Sequence, residues 1–259
     1  MSVSNHNRSI IDQFTRQAAP FSGSPAHSSA EAMEQILRIA APASTDRALD
    51  VACGPGIITC LIAPHVAQMT GSDLTAAMLV EAEIRRVAQA APPIAWVESD
   101  AEHLPFDDES FDLVVTRYSF HHFVAPEKVL REMTRVCRPG GRIVIADVVI
   151  PADKVEAFDI MERLRDPSHT RALTPEKLDA LVSDAGLIVE DYATHAVSMT
   201  LEFQLSKSFP NPGDDDRIRE IFRDEPEHDR LGLSARREGD DIVIHYPTGV
   251  LRVRKPAKN

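Results

Sequence analysis

An α/β fold with a mostly parallel sheet and helices on both faces is predicted by three features of the 259-residue chain. From about Asp46 onward, short apolar β-rich runs alternate with longer runs of helical period. A glycine turn directly follows the first apolar run. Later, RIVIADVVI forms an almost continuous apolar stretch, as a strand covered on both faces requires.

Taken in order, RALDVAC reads as the first strand, Gly54-Pro55-Gly56 as its turn, and the residues after it as an apolar helix through Val66. QMTGSD is the second strand, with Thr75 capping a helix to about Gln89. IAWVESD and FDLVVTRY are the third and fourth strands. Val129, Leu130, Met133 and Val136 then share one helical face that ends at Arg138-Pro139-Gly140-Gly141, and RIVIADVVI is the fifth strand. Beyond Ile150 the alternation loosens. Residues 154–165 and 175–184 are helical, the second run with proline in its first turn and Gly186 just past its end. LIVEDYATHAVSMTLEF is long and extended, and NPGDDDRIREIFRDEPEHDR is an inserted helix with an acidic first turn. DDIVIHYPTGVLRVRK closes the chain as strand, turn, strand.

Composition narrows the function. With 43% hydrophobic and 26% charged residues the chain is ordinary globular protein, which excludes disorder, collagen and a disulfide scaffold. At this length folding removes roughly 70 to 75% of the unfolded surface, so a full core forms without metal or disulfide staples. Lys+Arg 28 against Asp+Glu 40 gives a net charge of -12, which argues against nucleic acid or anionic lipid and for a small molecule as partner. Cys53, Cys60 and Cys137 fit no zinc or redox spacing and suit the reduced, buried thiols of a cytoplasmic protein. The opening MSVSNHNRSIIDQF has neither a basic leader nor an apolar h-region, and no run approaches the roughly 18 apolar residues of a membrane span.

The chemistry concentrates after the first two strands. Gly54 and Gly56 let a ligand approach the backbone and meet a helix N-terminus. The third glycine of a dinucleotide fingerprint is replaced by Thr59, so nicotinamide binding takes second place. Asp73 ends the second strand where an acid can accept both hydroxyls of a ribose, and Asp50 sits just before the glycine turn. Two acids on one cleft favour an adenosyl ligand that carries an ammonium and a sulfonium over a pyrophosphate. The charge logic points to S-adenosyl-L-methionine.

ALDVACGPG, GSDLTAAML, ESDAEHLPFDDESFDLVV, TRYSFHHF and VLREMTRVCRPGGRIVIADV together resemble the class I S-adenosylmethionine-dependent methyltransferases, nearest the ubiquinone/menaquinone C-methyltransferase-like branch. The match covers about Arg47 to Val149, and QFTRQAAPFSGSPAH and LRDPSHTRALTPEKL extend it more thinly into segments shared with some bacterial small-molecule methyltransferases. The resemblance implies a Rossmann-like, doubly wound seven-stranded sheet with the last strand antiparallel. It implies that Asp50, Ala52, Gly54 and Gly56 line the methionine part of the cofactor, that Asp73 holds the ribose, and that Leu74 and Met78 border the adenine. Asp100 and Ala101 then meet the adenine edge. Arg117 and Tyr118 fall beside the cofactor's amino acid portion, where an aromatic face can attract a sulfonium.

Methyl transfer is an in-line displacement, so positioning and exclusion of water supply much of the catalysis. A phenol or amine acceptor must also lose a proton, and His122 or His121, just past the fourth strand, can take it. His122 is favoured, because related small-molecule methyltransferases that use a base histidine place it five residues after the arginine corresponding to Arg117; His121 then packs or caps, since adjacent residues do not both point inward. His169 is a second candidate at the acceptor, and Phe14, Phe21 and His27 are expected to supply acceptor contacts from a lid. The ubiquinone-type enzymes lack the histidine pair, so their substrate does not carry over. Metal binding is not expected, because His103, His121 and His122 have no matching ligand spacing.

The expected organisation is an N-terminal helical lid over 1–45 and a methyltransferase domain over 46–259, with inserted or cap helices at about 153–170 and 212–228 that form a cleft wall or a homodimer surface. The product is S-adenosyl-L-homocysteine, and the acceptor an oxygen, nitrogen or carbon of a small, aromatic or secondary metabolite. The competing readings are a non-methylating enzyme that uses the same cofactor, a nicotinamide-dependent oxidoreductase, and a cofactor-binding regulatory module without turnover.

Overall fold

Five strands of one sheet run parallel: β1 (Arg47–Val51), β2 (Gln68–Asp73), β3 (Ala95–Glu98), β4 (Phe111–Arg117) and β5 (Cys137–Val148). They are joined by β6 (Ile188–Thr200) and β8 (Asp241–Arg254) in the order β3-β2-β1-β4-β5-β8-β6, with β8 antiparallel to both its neighbours. The computed structural model describes residues 5–22 and 29–258, with side chains over 5–18 and 29–258.

The central strands β1, β4 and β5 are buried on both faces, successive side chains going to opposite sides of the sheet. In β5, Ile143 and Ile145 join a cluster with Leu130, Met133 and Val136 of α5 (Pro126–Val136) and Leu178 and Leu181 of α7 (Pro175–Asp184). Val144 and Ala146 face the other way, toward Ile36 and Ile39 of α2 (Ala30–Ala40) and Ile58 and Ile62 of α3 (Ile57–Ile62). A third cluster lies beyond the carboxyl end of β5. There α6 (Val155–Arg165) meets an insertion between β6 and β8, built from α8 (Leu201–Ser206), α9 (Asp214–Phe222) and α10 (Glu225–His228). α9 exposes Asp216 of its acidic first turn and buries Asp214, Ile218 and Phe222.

The seven-strand path with its last strand antiparallel is the expected one, and the three-residue β7 (Arg236–Glu238) adds a short strand paired with the start of β8. Three local expectations are corrected. DDIVIHYPTGVLRVRK is one unbroken strand, since its Pro247-Thr248-Gly249 segment pairs with both β5 and β6. Gly249 is there for contact: a Cβ would stand 2.9 Å from the Tyr192 hydroxyl and from Val149. β6 ends at Thr200, whose hydroxyl accepts from Phe203 N–H and starts α8, so LEF is helical. Thr75 does stand at the N-cap of α4 (Ala76–Ala88), but its hydroxyl caps nothing. Asp73 accepts the Thr75 N–H instead.

α1 (Asn5–Ser22) lies against α4 and over the carboxyl ends of the parallel strands. Strand order reverses between β1 and β4, and a ligand crevice belongs at that switch point.

Candidate active site

Between α1 and the carboxyl ends of β1 to β4 is a cavity of about 690 Å³. Of the residues expected to hold the cofactor, Asp50, Ala52, Gly54, Asp73, Leu74, Met78, Asp100, Ala101, Arg117 and Tyr118 all line it. Gly56 does not. It sits at the start of α3 with φ +72, and a Cβ there would be 3.0 Å from Ala82 Cβ and 3.1 Å from the Trp96 ring, so this glycine serves close packing against α4. Gly54, with φ +52, has nothing within 4 Å of the position a Cβ would take and opens toward the cavity.

The acidic pair is shaped by burial. Asp73 accepts N–H bonds from Gly54 (2.8 Å) and Thr75 (2.9 Å), one on each oxygen, which leaves a lone pair on each for a second donor. Asp50 accepts the Thr59 hydroxyl at 2.6 Å, the residue that stands in place of the third glycine. Removal from water pushes the Asp50 carboxyl up to about 7 and that of Asp73 up to about 6. Two carboxyls so placed favour a cation in the cavity and oppose a pyrophosphate.

Left-handed backbone, uncommon for residues with a side chain, occurs at Ala52 (φ 54) and Tyr118 (φ 53), both in the cavity wall. The turn at Tyr118 brings its hydroxyl within 3.0 Å of Thr248 Oγ1, while the Arg117 guanidinium lies 4.7 Å from its ring centre. One face of the ring expected to meet a sulfonium is therefore already covered by Arg117. Next to Asp100, the Ser99 hydroxyl is buried without a partner and lines the cavity.

A second cavity of about 100 Å³ lies beside the first, walled by α6 and the loop after it, the ends of β5 and β6, Tyr246 of β8, and α8 with the residues that follow it. Phe14, Tyr118 and His122 are the only described residues that line both. His121 and His169 line the second alone. Contrary to the expectation that one histidine of the pair must turn away, both rings face this region, with centres 4.2 Å apart. Residues 120–122 form a 3-10 turn and not a strand, so alternation does not apply.

Asp147 makes that turn. One carboxylate oxygen accepts Ser119 N–H (3.0 Å) and Phe120 N–H (2.7 Å), and the other accepts Val148 N–H and His121 Nδ1–H at 2.6 Å. Burial opposes a charged His121 ring, but the charge and hydrogen bond of Asp147 outweigh it and raise its pKa. His122 is different. Its Nδ1–H faces the Ser168 carbonyl and hydroxyl oxygens, each at 3.2 Å, and Ser168 in turn donates to Asp166 at 2.6 Å. Burial and the neighbouring His121 hold the His122 ring well below the usual imidazole range. Phe14 packs edge-on against His122, at 5.0 Å between ring centres.

His169 Nε2 lies 2.7 Å from Asp159 on α6. Also on α6, Glu162 binds Arg165 and accepts the Tyr246 hydroxyl at 2.7 Å. Asp147, Asp159, Asp166 and Glu162 were not expected from the sequence. Only Asp147 carried a signal, as the lone acid inside RIVIADVVI. His27 lies outside the described residues, as does the side chain of Phe21. Cys53, Cys60 and Cys137 are buried free thiols. Among the described residues no group of His, Cys, Asp or Glu is placed to hold a metal ion, and no helix is long and apolar enough to cross a membrane.

Comparison with known proteins agrees with this geometry. A family model described as a methyltransferase domain matches residues 49–145. The uncharacterized methyltransferase YcgJ of Bacillus subtilis is 30% identical over 180 residues, 69% of this chain and 71% of that protein. Demethylmenaquinone methyltransferase of Clavibacter sepedonicus is 40% identical over 123 residues, 46% of this chain and 49% of that protein. The crystal structure of a protein from Bacillus halodurans C-125, assigned to the methyltransferases, superposes with a TM-score of 0.79 at 25% identity and covers 88% of this chain and 100% of its own. With the parallel sheet, the acidic cavity at its switch point and a relative matched over most of its length, the chain belongs to the class I methyltransferases.

Proposed function

We propose that this methyltransferase moves the methyl group of S-adenosyl-L-methionine to an oxygen, nitrogen or carbon of a small aromatic or secondary metabolite and releases S-adenosyl-L-homocysteine. One observation carries the reading: two adjoining cavities share Phe14, Tyr118 and His122, so a methyl group held in the larger meets an acceptor held in the smaller at that boundary.

The residues of the larger cavity fit the cofactor. Asp73 has free lone pairs for two ribose hydroxyls, Leu74 and Met78 offer apolar walls to the adenine, and Asp100, Ala101 and the bare Ser99 hydroxyl stand at its polar edge. Asp50 favours the cationic end of the methionine portion, and the Arg117 guanidinium fits its carboxylate. Bound, the cofactor supplies an electrophilic methyl on a sulfonium.

The protein's part is positioning and proton transfer. Phe14 and His6 close the site from α1, with His6 Nε2–H donating to the His122 carbonyl at 2.7 Å, and so exclude water. His122 borders both cavities as a neutral ring whose Nε2 keeps its lone pair. His121, oriented by Asp147, presents the more basic Nε2 to the second cavity and accepts the acceptor's proton where the nucleophile is O–H or N–H. The acidic surface and the apolar walls of Val148, Phe158 and Met199 support a neutral or cationic ring as acceptor.

Calorimetric titration with S-adenosylmethionine and S-adenosylhomocysteine tests the reading. Both bind saturably, and Asp73→Ala weakens both by about 1.5 to 3 kcal/mol through the lost ribose hydrogen bonds. Folded protein that binds neither ligand overturns it. Acceptors are then screened by the mass gain of one methyl group.

A further inference from the structure

His169 is held firmly from outside the second cavity and unused within it. Its Nε2–H donates to Asp159 Oδ1 at 2.7 Å, and the same oxygen accepts Ala172 N–H at 2.9 Å, so the carboxylate is fixed and keeps the proton of the ring on Nε2. The side chains are 1% and 3% exposed. Nδ1 is left buried with no partner, in a ring that forms part of the cavity wall. A buried polar atom without a partner is costly, and where one persists it marks a ligand or an ordered water. The rings around it are His121, 5.7 Å away between centres, and Phe158, edge-on at 6.1 Å. Thus the rings of His121 and His169 both belong to the wall of one small chamber.

We propose that His169 Nδ1 accepts a hydrogen bond from a second protic group of the methyl acceptor, one that is not methylated, with Asp159 as the positioning residue that fixes the tautomer. The acceptor class is then a single ring with two neighbouring O–H or N–H groups, of the catechol or aminophenol kind. One group gives its proton to His121 and takes the methyl; the other anchors the ring on His169. The chamber, at about 100 Å³, is smaller than the roughly 150 Å³ that takes a benzene, so a single ring fills it and extends toward the boundary it shares with the larger cavity. This inference rests on the second cavity being the acceptor site.

The experiment uses whole protein saturated with S-adenosylhomocysteine, titrated calorimetrically with catechol and with phenol. Wild type binds catechol about tenfold more tightly than phenol, the effect of one additional hydrogen bond. His169→Gln keeps an amide N–H for Asp159 and loses the Nδ1 position; in it the two ligands bind equally, while affinity for phenol and for S-adenosylhomocysteine is unchanged. If that variant does not fold, ¹⁵N spectra of wild type replace it: the His169 Nδ1 resonance moves on adding catechol and stays on adding phenol. Equal binding of the two phenols by wild type, no binding of either, or a preference that survives in His169→Gln overturns the inference. Loss of S-adenosylhomocysteine binding itself would instead overturn the methyl-transfer reading.

Discussion

The Nδ1 atom of His121 lies 2.6 Å from Asp147 Oδ1, and because Asp147 also takes the Ser119 and Phe120 N–H groups, one carboxylate both bends the chain and selects the nitrogen that faces the second cavity.

That pair predicts a pH profile. The groups facing His121 are Asp147 from β5, Glu162 and Arg165 from α6, and the rings of His122 and His169. Their sum raises its pKa above the ordinary 6.5, and a base works only when deprotonated. Methyl transfer to a protic acceptor therefore rises with pH through a value above 6.5. Asp147→Asn moves that limb to lower pH, and His121→Asn removes it with a loss of about a hundredfold or more in kcat. His122, depressed by burial, produces no such limb, so a profile unchanged in His121→Asn would remove His121 as the base.

The buried acids predict proton release on cofactor binding. In the free protein Asp50 and Asp73 are pushed up to about 7 and about 6, so both are partly protonated near pH 6.5. A bound cation favours their charged forms, and protons leave. Calorimetry of S-adenosylmethionine binding in two buffers of different ionisation enthalpy should show the release at pH 6.5 and little of it at pH 8.5. The sign for folding follows by linkage: both carboxyls are raised above their unfolded value of 3.8, so the stability these two groups contribute to the free protein is lost as pH climbs from about 4 through 7.

The two glycines of the first turn should respond differently to alanine. At Gly56 the new methyl meets Ala82 at 3.0 Å and Trp96 at 3.1 Å in a left-handed backbone, so Gly56→Ala destabilises by about 2 to 4 kcal/mol in chemical denaturation. At Gly54 there is open space. Gly54→Ala carries only the backbone penalty of about 1 to 2 kcal/mol, and its larger effect is on cofactor affinity. Equal loss of stability in the two variants would contradict the packing role of Gly56.

Tyr246→Phe removes a hydroxyl that donates to the buried Glu162 carboxylate at 2.7 Å. Hydrogen bonds to charged groups are worth about 1.5 to 3 kcal/mol, so a fall in stability of that size is expected from thermal or urea unfolding. Cofactor affinity should not change, because Tyr246 lines only the second cavity.

The first five strands were legible in the sequence because each depends on local order, an apolar run and the turn that ends it, and the family resemblance named ten residues between Asp50 and Tyr118 that line the larger cavity. The acceptor side was legible only as a list of histidines. Their partners come from 26 residues away for His121 and Asp147, and from 46 for His122 and Ser168, and no short-range pattern encodes such pairings. The orientation of the histidine pair failed for a similar reason, since a carboxylate on the neighbouring strand turns residues 120–122 out of the extended geometry assumed for them. Pro247-Thr248-Gly249 has the composition of a turn, yet strands on both sides keep it extended.

α1 supplies His6, Asn7 and Ile10 to the larger cavity, Gln17 to the smaller, and Phe14 to both, while Asn7 reaches Asp100 at 2.9 Å. A single helix thus borders both cavities. Any change that an occupant of one makes in the affinity of the other through this shared wall is, by thermodynamic reciprocity, returned by the same factor.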